Sequence, residues 1–182
     1  MDVIRPRFAI GDLAKLPDDG KRYEIVEGDL VVSPSPNRKH QRCVIRLIAF
    51  FQKVEDAGHG QVYSAPFDVV LDTDTVVEPD VLFIRTERLY ILSEANVQGA
   101  PDLIVEVLSN STRDRDFGVK LHLYARYGVA EYWVVDPEME TVTRFRLTQA
   151  GYERSGPFRQ EETLQTPILP GHPLAIAELF PK

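Results

Sequence analysis

The stretch that decides the fold is Leu-Ile-Val-Glu-Val-Leu, at residues Leu103–Leu108. An apolar run of this length, rich in β-branched residues, is typical of a strand that is covered on both faces. Glu106 lies inside the run, where an ionised carboxylate without a partner costs on the order of several kcal/mol. The sequence therefore predicts a buried strand whose acid requires a cation or a matched set of hydrogen-bond donors.

The residues after this run predict a helix and then a second strand. The polar cluster at 109–112 is typical of a helix start, and Gly128 follows the expected helix end at about Tyr127. The next strand is predicted at Glu131–Val135. A strand–helix–strand unit of this kind implies a right-handed crossover, and therefore a parallel pair of strands.

The rest of the chain is predicted to form hairpins and one long helix. From the N-terminus we expect a short helix at 10–17, a hairpin of Arg22–Val26 and Leu30–Val32, a helix from about Arg38 to Ala57, strands at Gln61–Ser64, Phe67–Leu71 and Val76–Ile84, and a late hairpin of Thr141–Leu147 and Tyr152–Arg154 followed by a Pro-rich tail. Parallel and antiparallel pairs together predict a mixed central sheet flanked by helices. The fold class is α/β (α+β), and residues 1–182 are expected to form a single domain.

Composition is that of an ordinary globular protein, with 43% hydrophobic and 27% charged residues. No apolar stretch approaches the roughly 20 residues that span a bilayer, and the first residues lack a signal-peptide pattern. The lone cysteine, Cys43, is expected in the core, and the four scattered histidines do not predict a zinc cluster. A cytoplasmic location is the default expectation.

The net charge of −7 argues against coating of nucleic acid by bulk electrostatics, but not against an enzyme with a local basic patch.

A second acid, Asp80, leads into the apolar run Val81–Ile84. It can meet Glu106 across the sheet if the two strands are neighbours, which are about 4.8 Å apart. The alternative is that Asp80 starts the strand and is solvated. Asp102 is a poorer candidate because it lies four residues from Glu106, roughly 13 Å along a strand, and is assigned to the strand start.

Lys120 is the third candidate. Phe117, Leu121 and Tyr124 form an apolar stripe that should pack on the sheet. At about 100° per residue, Lys120 borders this buried face and can reach the sheet with its long side chain. The alternative is a lysine at the rim that pairs with Asp116. Two acids on strands and a lysine together suggest a divalent-metal site for phosphodiester chemistry.

Other charged residues near these candidates each have two interpretations. Glu24 is a possible additional acid of the site, or an ordinary exposed residue of a strand. The basic residues near the predicted site either bind phosphate or form solvated faces; they are Arg38, Lys39, His40 and Arg42 at the start of the long helix, and Arg113 and Arg115 after the Glu106 strand.

The order and spacing of several segments closely resemble the Uma-two family of the restriction-endonuclease-like, PD-(D/E)xK superfamily. The segments are 23–28 (YEIVEG), 78–80 (EPD), 101–109 (PDLIVEVLS), Asp116 with Lys120 and Tyr124, and 128–137 (GVAEYWVVDP). The resemblance implies a mixed central sheet flanked by helices, with Asp80 as the PD acid and Glu106 as the second acid. The motif lysine should follow two residues after Glu106, where this chain has Leu108, and Lys120 matches the position to which that lysine sometimes migrates. Glu24 and His40 match recurring positions that carry no assigned role.

Three hypotheses follow. The first is a nuclease in which Asp80 and Glu106 hold Mg²⁺ or Mn²⁺, Lys120 orients water or stabilises charge, and Glu24 or Glu78 assists. Its substrate would be nucleic acid, with DNA preferred over RNA. A homodimer would suit the cutting of two strands. The second is a binding or scaffold protein without turnover, which Leu108 in the lysine position favours. The third is a metal-dependent phosphohydrolase of small substrates.

Overall fold

The computed structural model describes residues 7–109 and 112–180. Along the chain its helices and strands are α1 (Ile10–Leu13), β1 (Arg22–Val26), β2 (Asp29–Ser33), α2 (Arg38–Asp56), β3 (Gly60–Ser64), β4 (Asp68–Asp72), β5 (Thr75–Val77), β6 (Val81–Arg85), a 3₁₀ helix (Thr86–Ile91), β7 (Asn96–Gln98), β8 (Leu103–Val107), α3 (Arg113–Phe117), α4 (Val119–Tyr127), β9 (Glu131–Asp136), β10 (Thr141–Thr148), β11 (Gly151–Phe158), β12 (Thr163–Leu164), β13 (Leu174–Ala175) and a second 3₁₀ helix (Ile176–Glu178).

The central sheet has the strand order β11-β10-β9-β8-β6-β3. Strands β8 and β9 pair in parallel, with Leu103 opposite Glu131, and the other neighbours in this sheet pair antiparallel. The predicted parallel pair, the mixed sheet and the C-terminal hairpin of β10 and β11 are therefore confirmed.

A second sheet, in the order β2-β1-β5-β4-β7, contains the predicted N-terminal hairpin. The prediction of one continuous strand over Val76–Ile84 is wrong. The chain leaves the second sheet after β5 and enters the central sheet at β6, with Pro79 between them. Proline has no N–H to donate to a strand ladder, so the two apolar halves of the segment belong to different sheets.

Side chains alternate between two apolar layers on the faces of the central sheet. On one face, Phe83 and Trp133 contact Phe51 of α2, with ring centroids 5.7 and 5.9 Å apart. On the other face, Ile104 and Tyr132 belong to the cluster that α4 and the second sheet complete. The strand β8 is thus covered on both faces, as its apolar run predicts.

Glycines end or interrupt the helices after β8. The helix expected to run unbroken to Tyr127 is divided at Gly118 into α3 and α4. Gly128 follows α4 with a φ of 84°, in the left-handed region that glycine adopts without steric cost, as expected for a helix end. Within residues 7–109 and 112–180, no helix is long and apolar enough to cross a membrane.

The Pro-rich tail contributes to the core. Residues Leu164, Leu174, Ile176 and Leu179 pack into the layer that contains Phe51 and Trp133. Cys43 of α2 is buried in the same layer, in agreement with the role expected for it.

Gly60 tests the close contact between β3 and β6. A Cβ atom at this position would lie 2.2 Å from the carbonyl oxygen of Ile84 and 2.5 Å from Phe83 Cζ. We expect Gly60→Ala to lower the free energy of unfolding by about 1–3 kcal/mol, because a backbone carbonyl cannot move aside without disturbing the sheet. Urea denaturation followed by Trp133 fluorescence measures the loss.

Gly11→Ala is the matched control, because a Cβ at Gly11 has no atom within 4 Å. Equal urea midpoints for the two variants would contradict the close packing of β3 on β6.

Candidate active site

A cavity of about 240 Å³ opens where the two sheets meet. Its walls include four carboxylates and four basic side chains, which are Glu24, Asp80, Glu106, Asp116, Arg22, His40, Arg115 and Lys120. Ser33 at the end of β2, the loop 34–37, Val107 of β8 and residues 109 and 112 complete the lining. The cavity is therefore a concentration of charge inside an otherwise apolar molecule.

Asp80 and Glu106 meet through the register of two neighbouring strands. Val81 of β6 pairs with Val105 of β8 in an antiparallel ladder, so the next position along brings Asp80 opposite Glu106. Side chains opposite each other in such a ladder have Cβ atoms about 5 Å apart. Both residues are 3% exposed. The alternative, in which Asp80 is solvated at the start of its strand, is therefore wrong.

Three donors surround the carboxylate of Asp80. Arg22 Nη1 donates to Oδ1 at 2.7 Å, the N–H of Val107 donates to Oδ2 at 2.7 Å, and His40 Nε2 lies 3.0 Å from Oδ2. Burial by itself would raise the pKa of Asp80, but His40, Arg22 and the Val107 N–H hold this pKa below its ordinary value. Asp80 is therefore an anion that is bound by β1, α2 and β8 together.

Lys120 bridges the two sheets from α4. Its Nζ lies 2.6 Å from Glu106 Oε1 in the central sheet and 2.8 Å from Glu24 Oε1 in the second sheet. The ammonium is 2% exposed, so Lys120 reaches the sheet as predicted and is not a rim lysine paired with Asp116. Glu24, at 2% exposure, is likewise not an ordinary surface residue.

The neighbours of Lys120 differ in pKa. Burial opposes ionisation of Glu24, but the charge of Lys120 lowers the pKa of Glu24 below its ordinary value. For Glu106 burial dominates and raises the pKa to about 8, with Lys120 opposing and Asp80 reinforcing the rise. Tyr124 donates a hydrogen bond of 2.8 Å to the same Glu106 oxygen. The cluster thus pairs an ionised glutamate with one that holds its proton near neutral pH.

Glu78 lies beside this cluster, on the loop between β5 and β6. Its Oε1 is buried and has no hydrogen-bond partner among residues 7–109 and 112–180. Burial raises the pKa of Glu78 to about 7, and Arg22, whose Nε lies 3.9 Å away, opposes the rise. Glu78 is therefore able to exchange a proton near neutral pH.

The other candidate residues lie in different surroundings. Arg115 is in the cavity, where its Nη2 donates to Ser33 Oγ at 2.9 Å. Arg113 and Lys39 are paired outside it, each at 2.5 Å, with Asp136 and Glu138 respectively. Arg38 is exposed on α2.

The sequence predicts Asp102 at the start of the Glu106 strand, away from the site. In the structure Asp102 directly precedes β8 and is held by Arg85 Nε at 2.8 Å and Arg88 Nη1 at 3.1 Å. These two arginines satisfy the charge that its burial would otherwise leave unpaired.

Sequence reasoning missed Arg22 and assigned no role to His40 or to the hydroxyl of Tyr124. A signal for Arg22 exists, because it stands two residues before Glu24 and therefore on the same face of β1. For His40 the signal was its match to a recurring position of the family, but its basic neighbours on α2 favoured a role in a surface cluster.

Comparison with known proteins identifies the family. Residues 10–177 match the model of the Uma2 family, described as "Putative restriction endonuclease". The chain belongs to the Uma2 family. This confirms the resemblance expected from the sequence, and Uma2 membership supports a nuclease, a hydrolase that acts on nucleic acid.

A solved structure shows the same fold as this Uma2 chain. It is that of "a putative nuclease belonging to DUF820 from Anabaena variabilis ATCC 29413", with a TM-score of 0.78 and 20% sequence identity. The similarity covers 95% of this chain and 97% of the other. No match was found among curated proteins.

The buried Glu106 predicts a pH dependence of stability in this Uma2 chain. The folded protein retains the Glu106 proton up to about pH 8, whereas the ordinary pKa is 4.5. The stabilising contribution of the protonated group is therefore complete below pH 4.5 and is lost as the pH rises towards about 8. We expect Glu106→Gln to flatten this decrease, measured as the free energy of unfolding in urea across that range with EDTA present.

Glu94→Gln provides the control, because Glu94 is an exposed acid outside the cavity. A Glu106→Gln profile that runs parallel to those of the wild type and of Glu94→Gln would contradict the assigned proton.

Proposed function

We propose that this chain is a metal-dependent endonuclease that hydrolyses phosphodiester bonds of nucleic acid, with DNA preferred over RNA. The observation that carries the proposal is the meeting of Asp80 and Glu106 on neighbouring strands, with Lys120 Nζ 2.6 Å from Glu106, inside a cavity. The restriction-endonuclease description of the Uma2 family supports the choice of DNA.

The donor set fits a Mg²⁺ or Mn²⁺ ion that retains much of its water. Among the residues that the structure describes, no group of three or more His, Cys, Asp or Glu side chains has a metal-binding arrangement, so a closed protein cage is absent from them. Mg²⁺ is commonly held by only one or two carboxylates, with water in the remaining positions. Asp80 and Glu106 are the two oxygen ligands that would hold it, and Glu106 would have to lose the proton that it retains in the metal-free protein. When bound, such an ion would supply positive charge to the scissile phosphate and acidify an attacking water.

The residues of the chain itself have separate roles in this proposal. Lys120 stabilises negative charge that develops on the phosphate, and Glu24 holds Lys120 in place through its 2.8 Å contact. Arg115, in the same cavity, contacts the phosphate of the substrate. Glu78 is the candidate proton acceptor, because a base is most effective when its pKa of about 7 lies near the operating pH.

Further parts of the proposal concern assembly and surroundings. Arg38, Lys39 and Arg113 are outer contacts to nucleic acid. The cavity with Asp80 and Glu106 is the one proposed active site in the described part of the chain, so cleavage of both strands calls for a homodimer. The lone buried thiol of Cys43 suits a reducing cytoplasm, and residues 1–182 act as one domain.

Plasmid cleavage tests the proposed nuclease. We expect the wild type to nick supercoiled DNA in Mg²⁺ or Mn²⁺ and to be inactive in EDTA. Asp80→Asn should reduce the rate by at least about 100-fold, because the charge that would hold the ion is lost. Agarose electrophoresis of nicked and linear plasmid measures both the rate and the number of strands cut.

Asp114→Asn, purified in parallel, is the control for contaminating nucleases, because Asp114 is an exposed acid on the neighbouring helix α3. Circular dichroism establishes that both variants are folded. Equal cleavage by Asp80→Asn and the wild type would refute the assignment of Asp80.

A nuclease-fold binding protein without turnover is the second candidate. The observation in its favour is that Arg22 and Lys120 already contact the carboxyl oxygens of Asp80 and Glu106 that a metal would use. Isothermal titration with Mn²⁺ separates the two candidates, since a silent site with protein cations in place should bind no metal. A small-substrate phosphohydrolase is the third, and hydrolysis of a nucleotide in preference to plasmid DNA would identify it.

A further inference from the structure

One side of α2 carries a stripe of cations outside the cavity. Arg38, Arg42 and Arg46 stand four residues apart, and residues at this spacing are neighbours on a helix surface. Like charges in such positions repel each other. No ion pair joins these three guanidinium groups to a carboxylate within the described ranges 7–109 and 112–180. The stripe is therefore an uncompensated positive feature on a chain whose net charge is −7.

The stripe forms one wall of a groove of about 380 Å³, which we name the α2 groove. The opposite wall is the turn between β9 and β10, with Glu138 and Glu140. Both acids already have partners: Lys39 contacts Glu138 at 2.5 Å, and Gln160 donates to Glu140. Four cations face two engaged carboxylates, so the groove is suited to an anion.

The α2 groove starts beside the proposed active site. The residues that begin α2, the capping residue Asn37 and His40, line the cavity, and Arg38 lies between them in sequence. From residue 38 to residue 46 the helix advances about 12 Å, at roughly 1.5 Å per residue. Phosphates follow one another at about 3.4 Å along the axis of each DNA strand, so the stripe matches a span of about three to four phosphates.

We propose that the α2 groove binds the phosphate backbone of the nucleic-acid strand on one side of the scissile bond. This inference rests on the proposed function for the identity of the ligand. The position of the groove next to the cavity at the start of α2 favours nucleic acid over an acidic protein partner. Contacts of this type position a strand without reading its bases, so the groove supplies affinity and not sequence preference.

The test measures binding without cleavage. Wild-type protein in EDTA is titrated with a short fluorescein-labelled DNA duplex over a series of KCl concentrations, and fluorescence anisotropy gives Kd. The variant is Arg38→Ala/Arg42→Ala, in which both residues are exposed, so the fold should survive. The control Lys15→Ala/Arg154→Ala removes the same charge from exposed positions outside the groove.

The groove variant should bind about tenfold more weakly, and the slope of log K against log salt should become shallower by about two. The control variant should retain most of the wild-type affinity and the full wild-type slope of log K against log salt. The inference would be overturned if the groove variant had the same Kd and the same salt slope as the wild type. It would also be overturned if the wild type bound neither DNA nor RNA. Stronger binding of poly-glutamate than of DNA would reassign the groove to an acidic protein.

These outcomes are independent of catalysis. A groove variant that loses affinity while wild-type protein fails to cut plasmid would support the groove and refute the nuclease. Metal-dependent cleavage by the wild type together with unchanged DNA binding by the groove variant would support the nuclease and refute the groove.

Discussion

The buried ammonium of Lys120 joins three parts of the molecule. It leaves α4, contacts Glu106 in the central sheet at 2.6 Å and contacts Glu24 in the second sheet at 2.8 Å. Lys120 and the ionised Glu24 form a buried ion pair. Removing one partner of such a pair typically costs about 3–5 kcal/mol, because the remaining charge is left without solvent or counter-ion. The relative position of the two sheets and of α4 therefore depends on this group, and the cavity exists only where they meet.

The position of Asp80 follows from the short interruption between strands β5 and β6. Pro79 separates β5 from β6, so the chain passes from one sheet to the other at the residue before the new strand. The Asp80 carboxylate at this junction accepts hydrogen bonds from Arg22 in the second sheet and from the Val107 N–H in the central sheet, and it contacts His40 Nε2 of α2. An acid held by several elements is fixed in position, which is what a metal ligand or a charged catalytic group requires.

The departure from the usual motif has a physical explanation. Leu108, in the position of the motif lysine, is 4% exposed and packs in the apolar layer with Tyr124. Its N–H bonds to the Val135 carbonyl oxygen at 2.8 Å, so this residue continues the contact between β8 and β9. The ammonium arrives instead from the adjacent helix, and the tyrosine one turn further along α4 donates to the same Glu106 oxygen. The charge is supplied to the same carboxylate from a different element.

Sequence alone determined the features that depend on local pattern. The apolar run with Glu106, the helix with its stripe and Gly128, and the parallel partner at 131–135 follow from periodicity and from the handedness of crossovers, both of which act over short stretches. Sequence also identified Asp80, Glu106 and Lys120 as residues that could meet, since each is a charge beside an apolar run. Tertiary structure alone decided that a second large sheet lies beside the central one and that Val76–Ile84 is divided between the two. It also decided that Arg22 and His40 join the cluster, and that Glu24, which the sequence left between a site acid and a surface residue, is buried in it. These outcomes depend on which distant segments pack together, and no local pattern of charge or hydrophobicity encodes the partner of a buried ion.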